Sequence, residues 1–230
     1  MTTRKRLVIS IDGPAGAGKS TVSKLLAEKL GYIYMDTGAM YRAVAVLARD
    51  LSPQNPLDEA VLVEICGTIE LRMSYENGRV RLVVNGRDLT EGIRKPEISA
   101  LASAVSAKAV VRRRLAEIQR QLGAGGGIVA DGRDMGTVVF PQADVKFFLD
   151  ARPDVRGERR YRELLGAGEK VTLSEVSEQV LVRDRTDQAR ELAPLKPAAD
   201  AILIDSTELE VDEVVELMAR LIEERAPRRP

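Results

Sequence analysis

Short apolar runs alternate with longer amphipathic stretches along most of this chain, and that pattern predicts an α/β fold. Five runs have the composition of buried strands, at residues 7–11, 32–35, 128–130, 145–149 and 201–204. The runs are interleaved with stretches of helical spacing, as expected for parallel strands joined by helical connections. We therefore predict a three-layer α/β core with a five-stranded parallel sheet.

The pattern changes to a shorter period in the middle of the chain. Residues 69–73 alternate between apolar and polar, residues 80–84 do so in part, and Asn85-Gly86 follows them. Asn-Gly between such runs is a strong hairpin signal. We predict a small antiparallel β insertion that either stabilises the fold or covers a second substrate, and we place the insertion at 68–95 and the core at 1–67 and 96–230.

Helical spacing flanks this insertion on both sides. We predict a short helix at 57–65 that ends at Gly67, and helical structure in two pieces across 96–122. The second piece contains Arg112, Arg113 and Arg114, of which only one or two can face a common site because consecutive helical residues point in different directions.

The stretch between the first strand and its helix has the spacing of a phosphate-binding loop. Gly13, Gly18, Lys19 and Ser20 match G-x-x-x-x-G-K-[ST]. In such a loop the backbone N–H groups surround phosphates, the lysine reaches the β- and γ-phosphates, and the hydroxyl holds Mg²⁺. We predict a nucleoside triphosphate site formed by Gly13, Pro14, Ala15, Gly16, Ala17, Gly18, Lys19, Ser20 and Thr21.

Polar residues follow two other predicted strands, where open α/β sheets bind their ligands. After 32–35, Thr37 is either a ligand contact or only a helix cap, and Arg42 is either a phosphate contact or a surface charge. After 128–130, Asp131 has the position of a carboxylate that orients Mg²⁺, directly or through water. Arg133 and Asp134 form either a ligand contact or a salt-bridged turn.

Arginines are dense between the fourth and fifth strands, and Gly166 and Gly168 divide this region. Guanidinium groups suit bidentate phosphate contacts, so a mobile arginine-rich lid at 152–175 is one hypothesis. The alternative is a solvated helix with intrahelical Arg–Glu pairs. The arginines concerned are Arg152, Arg156, Arg159, Arg160, Arg162, Arg183, Arg185 and Arg190.

Composition excludes several classes of protein. The 230 residues carry 35 basic and 35 acidic side chains, so a generally basic nucleic-acid binder is not expected. The single cysteine excludes an internal disulfide and fits a cytoplasmic protein. No apolar run approaches the ~20 residues of a membrane span. The absence of histidine excludes a Ser-His-Asp triad and an H-E-x-x-H zinc site.

Four segments together resemble the bacterial cytidylate kinases, a family of P-loop nucleoside monophosphate kinases: Asp12–Ser20, Asp36–Arg42, Ala130–Pro141 and Arg183–Asp187. The resemblance extends from about residue 7 to 220, and the Ala130–Pro141 segment is its most specific part. It implies a P-loop kinase core, a β insertion in the acceptor-binding region and a helical lid. It also implies transfer of the γ-phosphate of ATP to CMP or dCMP with Mg²⁺, in a monomer without nucleic-acid or membrane partners.

The resemblance also implies roles for individual residues. Contacts to the acceptor phosphate fall on Thr37, Arg42, Arg133 and Arg190. Contacts to the cytosine fall on Ser103, Arg112 and Asp134, and contacts to the ribose on Arg183 and Asp187. Ser20 and Asp131 would hold the metal. The catalytic group comprises Lys19, Arg133, Arg156, Arg159 and Arg160.

Two other functions compete with this one. A related kinase could act on UMP, AMP or shikimate, and only the base-contacting residues argue against it. A regulatory nucleotide switch would couple hydrolysis to a protein partner. A GTPase switch would be expected to carry an N-K-x-D motif, which this sequence lacks.

Overall fold

The computed structural model describes residues 6–76 and 79–225. Within these residues the chain forms eight strands and eight α-helices. The strands are β1 Val8–Asp12, β2 Ile33–Asp36, β3 Leu71–Glu76, β4 Arg79–Val84, β5 Arg87–Asp88, β6 Ile128–Gly132, β7 Val145–Asp150 and β8 Ile202–Asp205. The helices are α1 Lys19–Leu30, α2 Thr37–Leu51, α3 Glu59–Thr68, α4 Pro96–Val105, α5 Ala109–Gly123, α6 Pro153–Gly166, α7 Leu173–Gln188 and α8 Val211–Arg225.

The five predicted strands form a five-stranded parallel sheet in the order β2-β6-β1-β7-β8, which confirms the predicted fold class. Strand β1 is central and pairs in parallel with both β6 and β7. Its side chains Ile9 and Ile11 are completely buried, as expected for a parallel strand covered on both faces. The register pairs Ile11 with Asp131, so the polar ends of β1 and β6 lie side by side.

The chain divides into two compact units, Met1–Tyr34 with Gly125–Pro230, and Met35–Ala124. The first unit contains the phosphate loop, with α1 packed between β6 and α8 and with α6 packed against α7. The second unit contains α2 to α5 and a three-stranded antiparallel sheet in the order β3-β4-β5.

The predicted hairpin at Asn85-Gly86 is confirmed. Val84 pairs with Arg87, which leaves a two-residue turn between β4 and β5. Both turn residues have positive φ, 49° at Asn85 and 77° at Gly86, as a type I′ turn requires. The sequence also predicts a turn at residues 76–78, which lies partly outside the described residues.

The predicted end of the helix before the insertion is wrong. Helix α3 begins after Asp58, whose carboxylate caps it, and continues through Gly67 to Thr68. The N–H of Ile69 still donates to the carbonyl of Ile65 at 2.9 Å. Glycine lowers helix propensity by only about 1 kcal/mol, and this hydrogen bond carries the helix past it.

The segment predicted as an insertion, 68–95, lies inside the second unit and contributes to its core. Ile69, Leu82 and Val84 are buried there. Arg114 on α5 donates to the carbonyl of Ile69 at 3.3 Å, and Arg87 forms an ion pair with Asp50 on α2 at 2.7 Å. The boundaries 68–95, and the core at 1–67 and 96–230, remain a prediction about which part of the chain can be removed.

Deletion of 68–95, with Gly67 joined to Pro96, tests that prediction. We expect the variant to keep ATP binding, because the phosphate loop belongs to the other unit, and to lose most CMP binding. Circular dichroism and calorimetric titration with an ATP analogue measure both properties. Loss of all cooperative unfolding would show instead that the segment is required by the whole fold.

Candidate active site

The backbone of the phosphate loop lies very close to two neighbouring elements. A Cβ atom on Gly13, where φ is 150°, would lie 1.9 Å from the carbonyl oxygen of Leu149 on β7. A Cβ atom on Gly16 would lie 2.5 Å from the carbonyl oxygen of Arg156 on α6. Both positions therefore require glycine, and the loop is fixed against the end of β7 and the start of α6.

Lys19 begins α1 and is buried within the loop. Its Nζ donates to the carbonyl of Pro14 at 2.6 Å. Burial first, and then the positive charge of Arg133, lowers the pKa of Lys19 well below its ordinary value; Arg183 acts in the same direction. An anion bound in the loop would favour the charged form of this lysine.

Ser20 and Asp131 are in contact, as expected for a shared metal site. Ser20 Oγ donates to Asp131 Oδ2 at 2.8 Å, and Tyr34 donates to Asp131 Oδ1 at 3.1 Å. In the described part of the chain, no three His, Cys, Asp or Glu side chains cluster as a metal site. A hydroxyl and one carboxylate fit Mg²⁺ that arrives with nucleotide phosphates and supplies its remaining ligands from them and from water.

A single buried carboxylate connects two of the predicted acceptor arginines. Asp187 on α7 pairs with Arg133 at 2.8 Å and with Arg190 at 2.5 Å. Burial alone would raise the pKa of Asp187, but the charges of Arg133, Arg190 and Arg183 together lower it. We call Arg133, Asp187 and Arg190 the arginine–aspartate cluster; it is a structural anchor whose guanidinium groups are suited to an additional anion.

Three arginines of the predicted lid, which the resemblance also places in the catalytic group, have different partners. Arg156 is buried and donates to Asp184 at 2.5 Å and to the carbonyl of Ala15 in the phosphate loop at 3.0 Å. Arg159 donates to the Ser206 carbonyl at 2.7 Å. Arg160 pairs with Glu163. In this structure all three guanidinium groups therefore bind protein groups.

The second unit holds two further groups of predicted acceptor residues. Asp36, and not Thr37, caps α2, since its carboxylate accepts from the N–H of Ala39 at 2.8 Å. The interpretation of Thr37 as only a helix cap is therefore wrong: Thr37 is the first helical residue. Asp36 also pairs with Arg42 at 3.2 Å, which fixes that guanidinium beside Gly38.

The other group surrounds Arg112. This side chain is buried, lies over the Tyr41 ring at 5.6 Å and donates to the Ser106 carbonyl at 2.9 Å. Ser106 in turn donates to the carbonyl of Ser103 at 2.7 Å. Arg113 is exposed and Arg114 is half-buried, so Arg112 is the one fully buried residue of the triple-arginine run.

Sequence reasoning missed the carboxylates and hydroxyls that hold the predicted residues. Asp36 and Asp184 lie inside segments that carry the family resemblance, but their spacing does not show which groups they contact. Ser206 has no sequence signal at all. Its hydroxyl donates to the Asp150 carbonyl at 3.0 Å and accepts from Arg159 at 3.0 Å.

Comparison with known proteins agrees with these features. The sequence model of the family described as cytidylate kinase matches residues 9–224. A cytidylate kinase of Geobacter sp. (strain M21) is 50% identical over 219 residues, covering 95% of this chain and 94% of that protein. The cytidylate kinase of Geobacter sulfurreducens is 50% identical over 224 residues, covering 96% and 95%.

The chain belongs to the cytidylate kinase family. This membership confirms the resemblance that the four segments carry. The site described above is formed by the phosphate loop and by the polar residues of the other segments. Among solved structures, an uncharacterized protein from Eubacterium ventriosum has a TM-score of 0.53 at 12% identity and covers 95% of this chain and 99% of that one. That likeness concerns the fold alone. No helix in the described residues is long and apolar enough to cross a membrane.

Two alanine substitutions test whether Gly13 fixes the phosphate loop against β7. Gly18, with φ of 86°, has open space where a Cβ would lie, so Gly18→Ala should cost only the backbone strain of about 1–2 kcal/mol. Gly13→Ala adds overlap with the Leu149 carbonyl and should cost at least about 3 kcal/mol. Urea unfolding without nucleotide measures both. Equal costs would mean that Gly13 does not fix the loop against β7.

Proposed function

We propose that this protein is an ATP-dependent kinase that converts CMP and dCMP to their diphosphates. The observation that carries the proposal is electrostatic. Burial first, and then the charges of Arg133 and Arg183, lower the pKa of Lys19 in the phosphate loop. Lys19, a proposed donor-phosphate contact, and these two arginines, proposed acceptor contacts, belong to one compact unit and act on each other electrostatically, which supports phosphoryl transfer between two phosphates.

The chemistry suits a chain without histidine. The second pKa of a phosphate monoester is about 6, so the acceptor is already an anion at neutral pH. No general base is needed to create the nucleophile. The protein must align two highly charged phosphates in line and neutralise charge on the equatorial oxygens.

Cations of the chain would perform that neutralisation. Lys19 would contact the β- and γ-phosphates, and Arg133 and Arg190 would bind the acceptor phosphate together with Thr37 and Arg42. Mg²⁺, held with the nucleotide by Ser20 and by Asp131 directly or through water, would supply Lewis-acid stabilisation of the phosphate charge.

The lid arginines would complete the charge neutralisation when the nucleotides are bound. Arg159 and Arg160 border a cavity of about 260 Å³ beside Gly16, Gly18 and Thr21 of the phosphate loop. Exchange of the Ser206 and Glu163 contacts for phosphate would bring them, with Arg156, to the transferring group. Closure would also exclude water, which otherwise accepts the γ-phosphate.

The base and ribose contacts set the choice of acceptor. We propose that Asp134, Ser103 and Arg112 bind the cytosine, and that Arg183 and Asp187 bind the ribose hydroxyls. The oxygens of Asp187 already face arginines, but each carboxylate oxygen has lone pairs for a second donor. We also propose a cytoplasmic monomer without nucleic-acid or membrane partners, in line with the balanced charge of the chain.

Two alternatives predict other behaviour. A kinase for UMP, AMP or shikimate would need different groups at the base-contacting positions. A nucleotide switch needs no second anion site, whereas Asp187 holds Arg133 and Arg190, and the charge of Arg133 acts on Lys19 of the phosphate loop. That cluster favours a kinase over a switch.

Asp134→Asn tests the proposed choice of base. A carboxylate accepts from the N4 amine of cytosine but opposes O4 of uracil, and leaving a buried charge unpaired costs more than about 1–3 kcal/mol. An amide can turn either its oxygen or its NH₂ toward the base. We expect Asp134→Asn to lower kcat/KM for CMP and to narrow the CMP-to-UMP ratio at least about tenfold.

Arg133→Ala is the matched control at the neighbouring position. It removes a proposed phosphate contact, which both acceptors share, so kcat/KM should fall for CMP and UMP alike and the ratio should stay unchanged. If Asp134→Asn instead lowers both acceptors in proportion, Asp134 only stabilises its turn and does not select the base.

A further inference from the structure

A buried carboxylate that the proposed mechanism does not use lies at the end of β1. Asp12 is 3% exposed, and its two oxygens accept from the N–H groups of Met135 and Gly136, each at 2.8 Å. These donors are 123 and 124 residues away in sequence. A bidentate contact of this kind fixes both the position and the orientation of the segment that donates.

The segment held by Asp12 is an unusual turn. Residues Met135–Val139 form a π-helical turn in which Val139 N–H donates to the Asp134 carbonyl at 3.1 Å and Phe140 N–H to the Met135 carbonyl at 2.7 Å. The first N–H groups of a helical turn have no acceptor within the turn. Asp12 accepts from two of them, so a residue of the central strand caps the turn that begins directly after Asp134.

The turn lies directly on β1 with no space between them. A Cβ atom on Gly136 would lie 3.0 Å from Ser10 Oγ and 3.4 Å from Asp12 Oδ2. The absence of a side chain at this position allows the backbone to reach the carboxylate. Movement of Asp12 would therefore be transmitted to the backbone that carries Asp134.

Keeping a carboxylate at this position carries a free-energy cost. Burial raises the pKa of Asp12 to about 6, although the two N–H groups oppose that shift; the negative charge of Asp134 raises it further. A neutral residue would avoid this cost. The buried carboxylate of Asp12 therefore indicates a role other than packing.

We propose that Asp12 is a positioning residue for base selection: it holds the Met135–Val139 turn against β1 and thereby fixes Asp134 relative to the phosphate loop that begins at the next residue, Gly13. This inference rests on the proposed function, in which Asp134 contacts the cytosine. Asp12 itself touches neither substrate in this assignment.

Asp12→Asn tests the inference. The asparagine keeps the shape of the side chain but directs an NH₂ group at one of the two backbone N–H donors, so one hydrogen bond is lost. We expect the amides of Met135 and Gly136 to exchange hydrogen at least about tenfold faster. We also expect the CMP-to-UMP ratio of kcat/KM to narrow at least about fivefold. Asp12→Ser, which retains one acceptor, gives a second variant with the same expected direction.

Asp144→Asn is the control, because Asp144 accepts from the N–H of Val8 at 2.9 Å at the other end of the same strand. Asp144→Asn should leave the amide exchange of Met135 and Gly136 and the CMP-to-UMP ratio of kcat/KM unchanged. Loss of the Asp12 charge near Lys19 would slow phosphate transfer to CMP and to UMP equally, so the CMP-to-UMP ratio of kcat/KM is insensitive to that effect.

Unchanged amide exchange at Met135 and Gly136, or an unchanged CMP-to-UMP ratio in the Asp12 variants, overturns the inference. A wild-type enzyme without preference for CMP would contradict the proposed function instead, and amide exchange alone then decides whether Asp12 holds the turn.

Discussion

The close approach of the phosphate loop to two backbone carbonyls is the constraint on which the rest of the site depends. Gly13 and Gly16 bring the loop against Leu149 and Arg156 at distances that no side chain permits. The loop then turns Lys19 inward and delivers Ser20 to Asp131. The positions of Lys19, of the Ser20–Asp131 contact and of the start of α6 all follow from this one piece of backbone packing.

Buried carboxylates organise the cations around that loop. Asp187 holds Arg133 and Arg190, and Asp184 holds Arg156. Each pair carries a desolvation cost, and removing either partner would leave an uncompensated buried charge. In return the guanidinium groups are held in fixed orientations, and preorganised charges of this kind are what the proposed catalysis would use. Burial is the largest cause of the lowered pKa of Lys19, and the charges of Arg133 and Arg183 add to it; the same two arginines, with Arg190, lower the pKa of Asp187 against the effect of burial.

The sequence predicted the features that have a local signature. The phosphate loop, the five strands and the Asn85-Gly86 hairpin each depend on residues that are close together in the chain, and each is present in the structure. The end of α3 was misplaced because a single backbone hydrogen bond outweighs the helix-breaking tendency of Gly67.

Long-range partners could not be predicted, because periodicity contains no information about which distant residues meet. Asp12 and Met135 are separated by 123 residues, and Asp184 reaches Ala15 across 169. The burial of the Arg112 side chain and the π-helical turn after Asp134 also depend on tertiary packing. The resemblance to cytidylate kinases identified candidate residues, and the geometry adds the groups that hold them.

Transfer of phosphate to a cytidine monophosphate is tested most directly by ADP release from MgATP across a panel of acceptors: CMP, dCMP, UMP, AMP and shikimate. The proposed chemistry predicts that CMP and dCMP stimulate ADP release at least about tenfold more than the other three, with little turnover when no acceptor is present. Preference for another acceptor would contradict the assignment of the base-contacting residues. Rapid ATP hydrolysis independent of any acceptor would contradict the kinase function itself.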